Sequence, residues 1–514
     1  MAFDMFFIIL LCITALTAAQ CPDYTSYSST PHGPFSGGIH NLSYQRPDPN
    51  CRTYYSAYTE AAIIRLKSVI IDPDLSRLFE NSFPNTLDTT VKWTGHAANN
   101  SAEELAFVIT GDIDAMWLRD SANQLQSYLP LLNTTATALS SLYRGVINLQ
   151  SRYLLISPYC NAFQPPIESG LQPNQNGASD TVPPHYDPAI VFECKYELDS
   201  LAAFLELSTN YYTATGDLSF FANFQWLDAV RAVLNTATSM AIPTYAPNGS
   251  VNKLPYTFTR STPDGLSTLN NRGTGNPVQS GTTLLRSSFR PSDDATIFQF
   301  LIPSNMIFAR TLSTASLIAS ALNATALANE MTSLSSTLTT AITTHGIISD
   351  PTHGTIYAYE VDGYGSRNMM DDANIPSLLS APFFRYLSAN DTVYQNTRNV
   401  LLSADNPYFM RGPIISANGG PHDTPGYAWP MASIVRILTS SSTSSGDDDN
   451  DEIYTTLKEL VASTNGLGLL HESINTFNAA DYTRPWFAWV NGLFGQMILD
   501  LEKRKPEVLA RSFG

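Results

Sequence analysis

Apolar residues recur every three or four positions through most of this chain, which is typical of helices that bury one face. The clearest of these segments cover residues 58–83, 138–155, 195–216, 217–238, 306–342, 426–440 and 487–504. Alternating runs typical of strands are few, chiefly residues 354–363 and 250–260. The pattern therefore predicts an all-α fold class with little sheet.

Long polar loops rich in Gly, Pro, Asn and Ser separate the helical segments. Two stand out, residues 164–188 and 263–290, and loops of this length inside a compact domain are often functional. The layout favours a toroid of helical hairpins with a cleft built from loops at one end. No fixed internal period supports an open solenoid. The acidic run at 440–452 lacks the pattern of a calcium-binding loop and is predicted to be a solvated connection.

The net charge of the chain limits the kinds of molecule that it is expected to bind. The 514 residues include 28 Lys and Arg against 45 Asp and Glu, a formal net charge of −17. Nucleic acid and anionic membranes are disfavoured as partners, because phosphate groups are bound by clustered Lys and Arg.

The first residues of the chain have the features of a secretory signal peptide. An apolar run at 5–16 is too short to span a bilayer, and small residues follow it up to Ala19. Six N-x-S/T sequons are consistent with export: Asn41, Asn99, Asn133, Asn248, Asn323 and Asn390. The sequence predicts a secreted, extracellular protein with a signal peptide at 1–19.

Cleavage after that segment leaves four cysteines, and an even number in an oxidising compartment indicates two disulfides. The preferred pairs are Cys21 with Cys51 and Cys160 with Cys194, because each closes a loop of moderate length. Free buried thiols are the alternative, especially for Cys194 in its apolar segment. No clustered Cys and His pattern indicates zinc.

The stretch "TGDIDAMWLRDSANQL" contains several residues that could bind a ligand or take part in catalysis. Asp112 and Asp114 could hold a divalent metal or cap the helix that follows. Neither role explains Trp117, Arg119 and Asp120 within the next turn. Aromatic rings stack on the apolar face of sugars, while Asp and Arg hydrogen-bond vicinal hydroxyls. The stretch therefore favours a site for a polyol over a site for a metal.

A second stretch, "SSFRPSDDATIFQF", carries Arg290 and two adjacent acids, Asp293 and Asp294. Pro291 blocks helix continuation, and Ser292 or Asp293 could cap a helix that begins near Asp294. A carboxyl shielded there would have a raised pKa, as a general acid requires. Taken alone, the stretch is explained more simply by a helix cap.

Four other stretches repeat this composition of acids, amides or Arg with aromatics. They contribute His471, Glu472, Arg484 and Trp486; Asp371, Asp372 and Asn374; His422; and Lys195, Glu197 and Asp199. Glu472 could be a general base or only the partner of Arg484. The last group lies in an apolar frame, where ion pairing is the simplest interpretation. The recurrence predicts one cleft lined from many hairpins.

The motifs "TGDIDAMWLRDS", "FRPSDDA", "MDDANIPSLL" and "TRPWFAWVNGLFG", with "KYELDSL" and "LHES", resemble those of glycoside hydrolase family 125, in order and over nearly all of the mature chain. The resemblance implies an (α/α)6 barrel and an exo-acting α-mannosidase that prefers α-1,6 linkages, inverts configuration and uses no metal or other cofactor. The expected division is a signal peptide at 1–19, an extension at 20–53, a catalytic domain at 54–505 and a tail at 506–514.

The resemblance also implies roles for the motif residues. The general base is Glu472, and the general acid is Asp294 or Asp293, with Asp294 preferred because it stands one step into the expected helix. In an inverting enzyme the two carboxyls stand about 6.5–9.5 Å apart to admit a water. The residues expected to bind the terminal mannose are Asp112, Trp117, Arg119, Asp120, Arg290, Asp371, Asp372, Asn374, His422, His471, Arg484 and Trp486. The expected partner is a mannose-containing oligosaccharide or polysaccharide, bound by a monomer.

Three alternatives remain at this point. A glycosyltransferase would use the D-x-D pair for a metal-bound nucleotide sugar. A calcium-dependent α-1,2-mannosidase would share the helical toroid. A mannan-binding protein without catalysis would bind glycans and leave them intact.

Overall fold

The computed structural model describes residues 21–133, 135–440 and 447–513, so the predicted signal peptide lies outside the described residues. Within these ranges the helices are α1 (Tyr24–Ser28), α2 (Ala57–Lys67), α3 (Pro73–Ser82), α4 (Asn85–Thr89), α5 (Leu118–Gln126), α6 (Thr137–Ile156), α7 (Leu198–Thr215), α8 (Leu218–Asn223), α9 (Trp226–Ser239), α10 (Asn270–Gly273), α11 (Ile302–Ala321), α12 (Thr325–Ala341), α13 (Thr392–Leu401), α14 (Pro430–Leu438), α15 (Asp447–Ala462), α16 (Ala488–Arg504) and α17 (Pro506–Leu509). No described helix is both long and apolar enough to cross a membrane.

The strands are short and form small sheets of two or three strands, so the prediction of a mostly helical chain is confirmed. They are β1 (Val91–Ala97), β2 (Asn100–Val108), β3 (Met116–Trp117), β4 (Ala162–Phe163), β5 (Asp180–Thr181), β6 (Val191–Glu193), β7 (Thr259–Arg260), β8 (Phe300–Leu301), β9 (Ile347–Asp350), β10 (Gly354–Tyr357), β11 (Glu360–Val361), β12 (Arg367–Asn368), β13 (Phe409–Met410), β14 (Ala417–Asn418), β15 (Tyr427–Ala428) and β16 (Ile474–Asn475).

Five helices, α5, α7, α11, α14 and α16, form an inner layer. Helix α5 packs against α7 and α16, α7 packs against α11, and α14 packs against α16. Outer helices cover them: α12 lies on α11, α15 on α14 and α3 on α16. More than half of the residues in α7, α11 and α16 are buried, as expected for helices enclosed by neighbours.

One hydrophobic core extends from Leu42 in the N-terminal extension to Phe513 in the tail. The backbone N–H of Phe513 donates to Asp72 at 2.8 Å, which holds the tail against the start of α3. The N-terminal extension and the tail therefore both contribute residues to the core that the helices between them form.

Both preferred disulfides, Cys21–Cys51 and Cys160–Cys194, are present in the structure. The second disulfide lies beside the three-stranded sheet of β3, β4 and β6, in which β4 pairs with both neighbours. It connects the residue two positions before β4 to the residue directly after β6. This link fixes the chain on either side of residues that reach the pocket described below.

The structure departs from the expected pattern in the hairpin of β1 and β2. These strands pair antiparallel, yet neither was expected from the sequence. The reason is that β2 does not alternate: its first residues are exposed and its last four are buried. A strand that passes from solvent into the core lacks the period of two on which the prediction relies.

The helix expected near Asp294 is also absent, and that expectation was wrong. Residues 291–299 form turns, and α11 begins only at Ile302. Asp293 has a left-handed backbone with φ of 66°, which interrupts any helical path. The strand expected over 250–260 is reduced to β7 at its end, and residues 447–452 of the expected solvated loop belong to α15, while 441–446 lie outside the described residues.

A buried ion pair holds the 291–299 segment in place. Arg290 Nε donates to Glu360 Oε1 at 2.7 Å, and both side chains are almost fully buried. The other carboxylate oxygen of Glu360 accepts from the backbone N–H groups of Ile297 and Phe298, each at 3.2 Å. Glu360 in β11 therefore anchors both ends of this segment.

We expect Glu360→Gln to lower the free energy of unfolding by about 3–5 kcal/mol, because it leaves the Arg290 charge buried without its partner. Denaturant titration of the purified protein measures this change. The control is Glu330→Gln, whose partner Arg231 lies on the surface with side chains 41% and 47% exposed; this change should cost less than about 1 kcal/mol. Equal losses for the two variants would contradict the assignment.

Candidate active site

A pocket with about 470 Å³ of empty space lies where inner helices begin. Arg119 and Asp120 stand in the first turn of α5, while Trp429 and Phe487 precede the first residues of α14 and α16. Helix N-termini carry partial positive charge, which favours the carboxylates gathered there. The lining residues are Thr110, Ile113, Trp117, Arg119, Asp120, Pro291, Ser292, Asp293, Asn374, His422, Trp429, Glu472, Arg484 and Phe487.

The sheet of β3, β4 and β6 forms one side of this region. Trp117 in β3 pairs with Ala162 in β4, and the backbone N–H of Leu118 donates to the Asn161 carbonyl at 2.9 Å. The side chain of Asn161 accepts from the backbone N–H of Lys195 and donates from Nδ2 to Asp293 Oδ1 at 3.0 Å. The sheet thus holds the Asp293 carboxylate from behind.

Arg119 is the centre of a buried acidic cluster. Its Nη1 donates to Glu197 Oε2 at 2.6 Å and to Asp199 Oδ2 at 3.3 Å, and its Nη2 stands 3.3 Å from Asp120 Oδ2. Burial raises the pKa of Asp120 to about 6, although Arg119 opposes the shift. The cluster joins the first turn of α5 to the start of α7 and aims acidic groups at the pocket.

The two adjacent acids of the RPSDD motif have different surroundings. Asp293 is partly exposed and lines the pocket. Asp294 is 3% exposed, is absent from the lining and accepts a hydrogen bond from His422 Nδ1 at 2.9 Å. Burial disfavours a charge on His422, but this bond raises its pKa to about 10, so the imidazole is cationic at neutral pH.

Glu472 lies on another wall of the pocket. Its Oε2 forms an ion pair with Arg484, 2.9 Å from Nε, and accepts a hydrogen bond from Thr483 Oγ1 at 3.3 Å. Burial raises the pKa of Glu472, while Arg484 opposes this effect. Arg484 also donates to Asp112 Oδ1 at 2.7 Å. A carboxylate with a moderately raised pKa beside a fixed cation is suited to accept a proton from water.

The D-x-D acids do not act together. Asp112 is exposed and pairs with Arg484, whereas Asp114 pairs with Lys92 at 2.8 Å. Neither caps α5, whose start has no side-chain cap. In the ranges that the structure describes, no group of three His, Cys, Asp or Glu is arranged to hold a metal ion.

Several donors in the pocket wall have no acceptor. Trp117 Nε1, Trp429 Nε1 and Arg119 Nε are buried and make no hydrogen bond to any described residue. A buried N–H without an acceptor costs about 1–3 kcal/mol. Because all three residues line the pocket, oxygen atoms of a hydroxyl-rich ligand would satisfy these donors.

The structure brings together eight of the site residues expected from sequence. They are Trp117, Arg119, Asp120, Asp293, Asn374, His422, Glu472 and Arg484. The other seven do not line the pocket: Asp112, Arg290, Asp294, Asp371, Asp372, His471 and Trp486.

The acids of "MDDANIP" support the pocket from behind. Asp371 accepts from the backbone N–H groups of Leu378 and Leu379, which fixes a turn. Asp372 accepts from Ser292 Oγ at 2.6 Å and from the backbone N–H of Asn374 at 3.3 Å. Asp372 therefore orients two lining residues and is separated from the pocket by them.

His471 and Trp486 also lie behind the pocket, where they pack against other aromatic rings. His471 stacks on Tyr482 with ring centroids 3.8 Å apart, and its Nδ1 bonds the carbonyl of Arg484. Burial lowers the pKa of His471 to about 4, so the ring is neutral. Trp486 packs edge-on against Tyr24. Both residues shape the loop that presents Arg484.

Sequence reasoning missed some lining residues and one supporting residue. Thr110 and Ile113 lie inside "TGDIDAMWLRDS" and Phe487 lies inside "TRPWFAWVNGLFG", but none of them is charged, so the sequence offers no signal that separates them from core residues. Asn161 belongs to no motif. Its position next to Cys160 is the only signal that the sequence offers.

Comparisons with known proteins agree along the chain. Residues 72–499 match the family model of the metal-independent alpha-mannosidases, glycoside hydrolase family 125. The Meiotically up-regulated gene 157 protein of Schizosaccharomyces pombe (strain 972 / ATCC 24843) is 46% identical over 494 residues, 96% of this chain and 94% of its own. A Streptococcus pneumoniae metal-independent α-mannosidase, solved as a non-productive complex with α-1,6-mannobiose, is 31% identical with a TM-score of 0.75, over 87% of this chain and 99% of that one. The chain therefore belongs to the metal-independent α-mannosidases of glycoside hydrolase family 125.

Proposed function

We propose that this mannosidase is a secreted, exo-acting enzyme that removes terminal α-1,6-linked mannose with inversion. The observation that carries the proposal is the pocket itself, in which Asp293 and Glu472 line one small space together with three buried N–H donors that lack acceptors. An inverting glycosidase needs two carboxyls on opposite faces of the sugar, one as acid and one as base.

Asp293 is the proposed general acid, in preference to Asp294. Asp293 lines the pocket, whereas Asp294 is buried behind it and bonded to the cationic His422. A general acid must reach the glycosidic oxygen within hydrogen-bond distance. Asp294 then acts through His422, which is itself a lining residue.

Glu472 is the proposed general base. Arg484 and Thr483 bond one carboxylate oxygen, Oε2, and hold it in a fixed direction. The base removes a proton from the water that attacks the anomeric carbon. Burial raises the pKa of Glu472, and the neighbouring Arg484 opposes this rise.

Hydroxyl recognition is assigned to Asp120, Arg119, Asn374 and Trp117. Asp120 supplies acceptors, Arg119 and the Trp117 indole supply donors, and Asn374 supplies both. The pocket is small, which supports binding of one terminal sugar.

The choice of linkage rests on the Streptococcus pneumoniae relative, whose bound ligand is α-1,6-mannobiose. Because this chain has a similar fold along 87% of its length, we expect the same linkage to be accepted. The inner helices, with outer helices packed on α11, α14 and α16, support an (α/α)6 barrel.

Secretion is supported by the disulfides and by the sequons. All six sequon asparagines are exposed: Asn41, Asn99, Asn133, Asn248, Asn323 and Asn390. Exposed sequons are accessible to glycan attachment in an exporting compartment. The proposed substrate is thus a mannose-containing oligosaccharide or polysaccharide outside the cell.

We expect Asp293→Asn and Glu472→Gln each to lower kcat on α-1,6-mannobiose by about 10²–10⁴-fold, because each removes one proton-transfer group. Initial rates of mannose release measure the effect, and thermal denaturation checks that the fold is retained. Asp294→Asn is the matched variant and should retain more activity than Asp293→Asn. If Asp294→Asn is inactive while Asp293→Asn is not, the acid has been assigned to the wrong neighbour.

We expect mannose release to continue unchanged in excess EDTA, because the proton transfers are assigned to carboxyls alone. A calcium-dependent α-1,2-mannosidase would lose activity under the same conditions and would prefer α-1,2-mannobiose. The assay should therefore be run on both linkages.

We expect the first mannose released to be the β-anomer, since inversion at an α-linked centre produces it. Proton NMR of the product within the first minutes, before mutarotation, gives the answer. An initial α-anomer would exclude inversion.

A further inference from the structure

We propose that Glu197 positions the proton of the general acid: Glu197 and Asp293 share one proton, and this proton is the one delivered to the glycosidic oxygen. The inference rests on the proposed function and adds a residue from outside the pocket lining. Glu197 precedes the first residue of α7 and is 2% exposed.

The two oxygens of the Glu197 carboxyl have different surroundings. Oε2 accepts from Arg119 Nη1 at 2.6 Å and from Ser200 Oγ at 2.8 Å. Oε1 is buried, and no N–H or O–H group among the described residues donates to it. A buried carboxylate oxygen without a donor is costly. A carboxyl proton removes this cost, because Glu197 and Asp293 are within hydrogen-bonding contact.

Asp293 is placed to use such a proton. Its Oδ1 accepts from Asn161 Nδ2 at 3.0 Å, and its left-handed backbone turns the side chain between Glu197 and the pocket. One carboxyl therefore contacts both the buried glutamate and the space in which the substrate is expected.

The charges around the pair explain why sharing is needed. The cations that face it are Arg119, Lys195 and His422, and the acids are Asp120 and Asp199. Burial would raise the pKa of Asp293, but Lys195, Arg119 and the hydrogen bond with Glu197 together lower it to about 2. At neutral pH Asp293 is thus ionised in the resting arrangement and needs the proton of Glu197 to act as an acid.

Glu197 holds the proton that ionised Asp293 does not hold itself. Burial raises the pKa of Glu197 well above its ordinary value, even though Arg119 opposes the shift. Two carboxyls in contact titrate as a pair. The pair keeps one proton over the range in which Asp293 alone would have lost it, as a general acid requires.

The proton shared by Glu197 and Asp293 is used once in each turnover. In the reactive state the proton is on Asp293 and Glu197 is the carboxylate that Arg119 pairs. The proton moves to the glycosidic oxygen as the bond from that oxygen to the anomeric carbon breaks, and the bonding electrons go to the oxygen. Water attacks the anomeric carbon and gives a proton to Glu472. Two carboxylates remain beside Arg119 and Lys195. The pair regains a proton from solvent, and Glu472 releases its proton to solvent.

The test is the pH profile of kcat/KM on α-1,6-mannobiose for Glu197→Gln. Glutamine keeps the shape and the contact with Arg119, but it carries no negative charge and can donate to ionised Asp293. We expect kcat to fall and the alkaline limb of the profile to move down by at least about one pH unit. A limb that stays at the wild-type pH would overturn the proposal, because a structural role alone lowers the rate and leaves the limb in place.

Two further variants separate the explanations. Asp199→Asn removes another acid from the same arginine and the same helix, but the side-chain partner of Asp199 across the cluster is Ser304 at 3.0 Å and not Asp293. It should move the limb less than half as far as Glu197→Gln. Glu197→Asp restores a carboxyl and should return the limb towards the wild-type position; an aspartate variant that behaves like glutamine would contradict a shared proton.

Infrared difference spectra cover the case in which Glu197 variants do not fold. The wild-type protein should show a carboxylic acid C=O band that titrates above the ordinary Glu value of about 4.3 and that Asp293→Asn shifts or removes. Absence of such a band overturns the proposal.

If the wild-type protein releases no mannose, the proposed function fails. If it releases mannose and needs Asp293, an unmoved limb refutes the role of Glu197 alone.

Discussion

The buried guanidinium of Arg119 is the interaction on which the site depends. It lies 3% exposed among Glu197, Asp199 and Asp120, three acids that would repel one another without it. Ions removed from water are tolerated only when they are paired and hydrogen-bonded. Because Arg119 belongs to α5, Asp199 to α7 and Glu197 to the position just before α7, the same contacts join two inner helices and set the charge of the pocket.

The rest of the site follows from this arrangement. Acids cluster where inner helices begin, since the helix termini and the cations Arg119, Lys195 and Arg484 offset their charge. His471 stays neutral in an apolar position, whereas His422 is charged by Asp294. The state of each histidine thus depends on its burial and on whether a carboxylate from another part of the chain lies beside it.

Sequence alone predicted the helices well, because a buried helix face repeats every three to four residues. It was less able to separate lining residues from supporting ones. Arg290 and Arg484 occur in similar motifs. Arg290 pairs with Glu360, 70 residues away, and does not line the pocket, whereas Arg484 does. Such partners are invisible to local patterns. The adjacent acids show the same limit, since a single left-handed residue at Asp293 decides which of the two reaches the pocket.

The residues next to the Cys160–Cys194 disulfide contact the site. Asn161 and Lys195 each follow one of its cysteines, and together they hold the Asp293 carboxylate by a hydrogen bond and a positive charge. The covalent link therefore spans the two segments that support the Asp293 side of the pocket. Thiols are oxidised only in certain compartments. The compartment in which the chain folds therefore determines whether the two segments that support Asp293 are covalently linked.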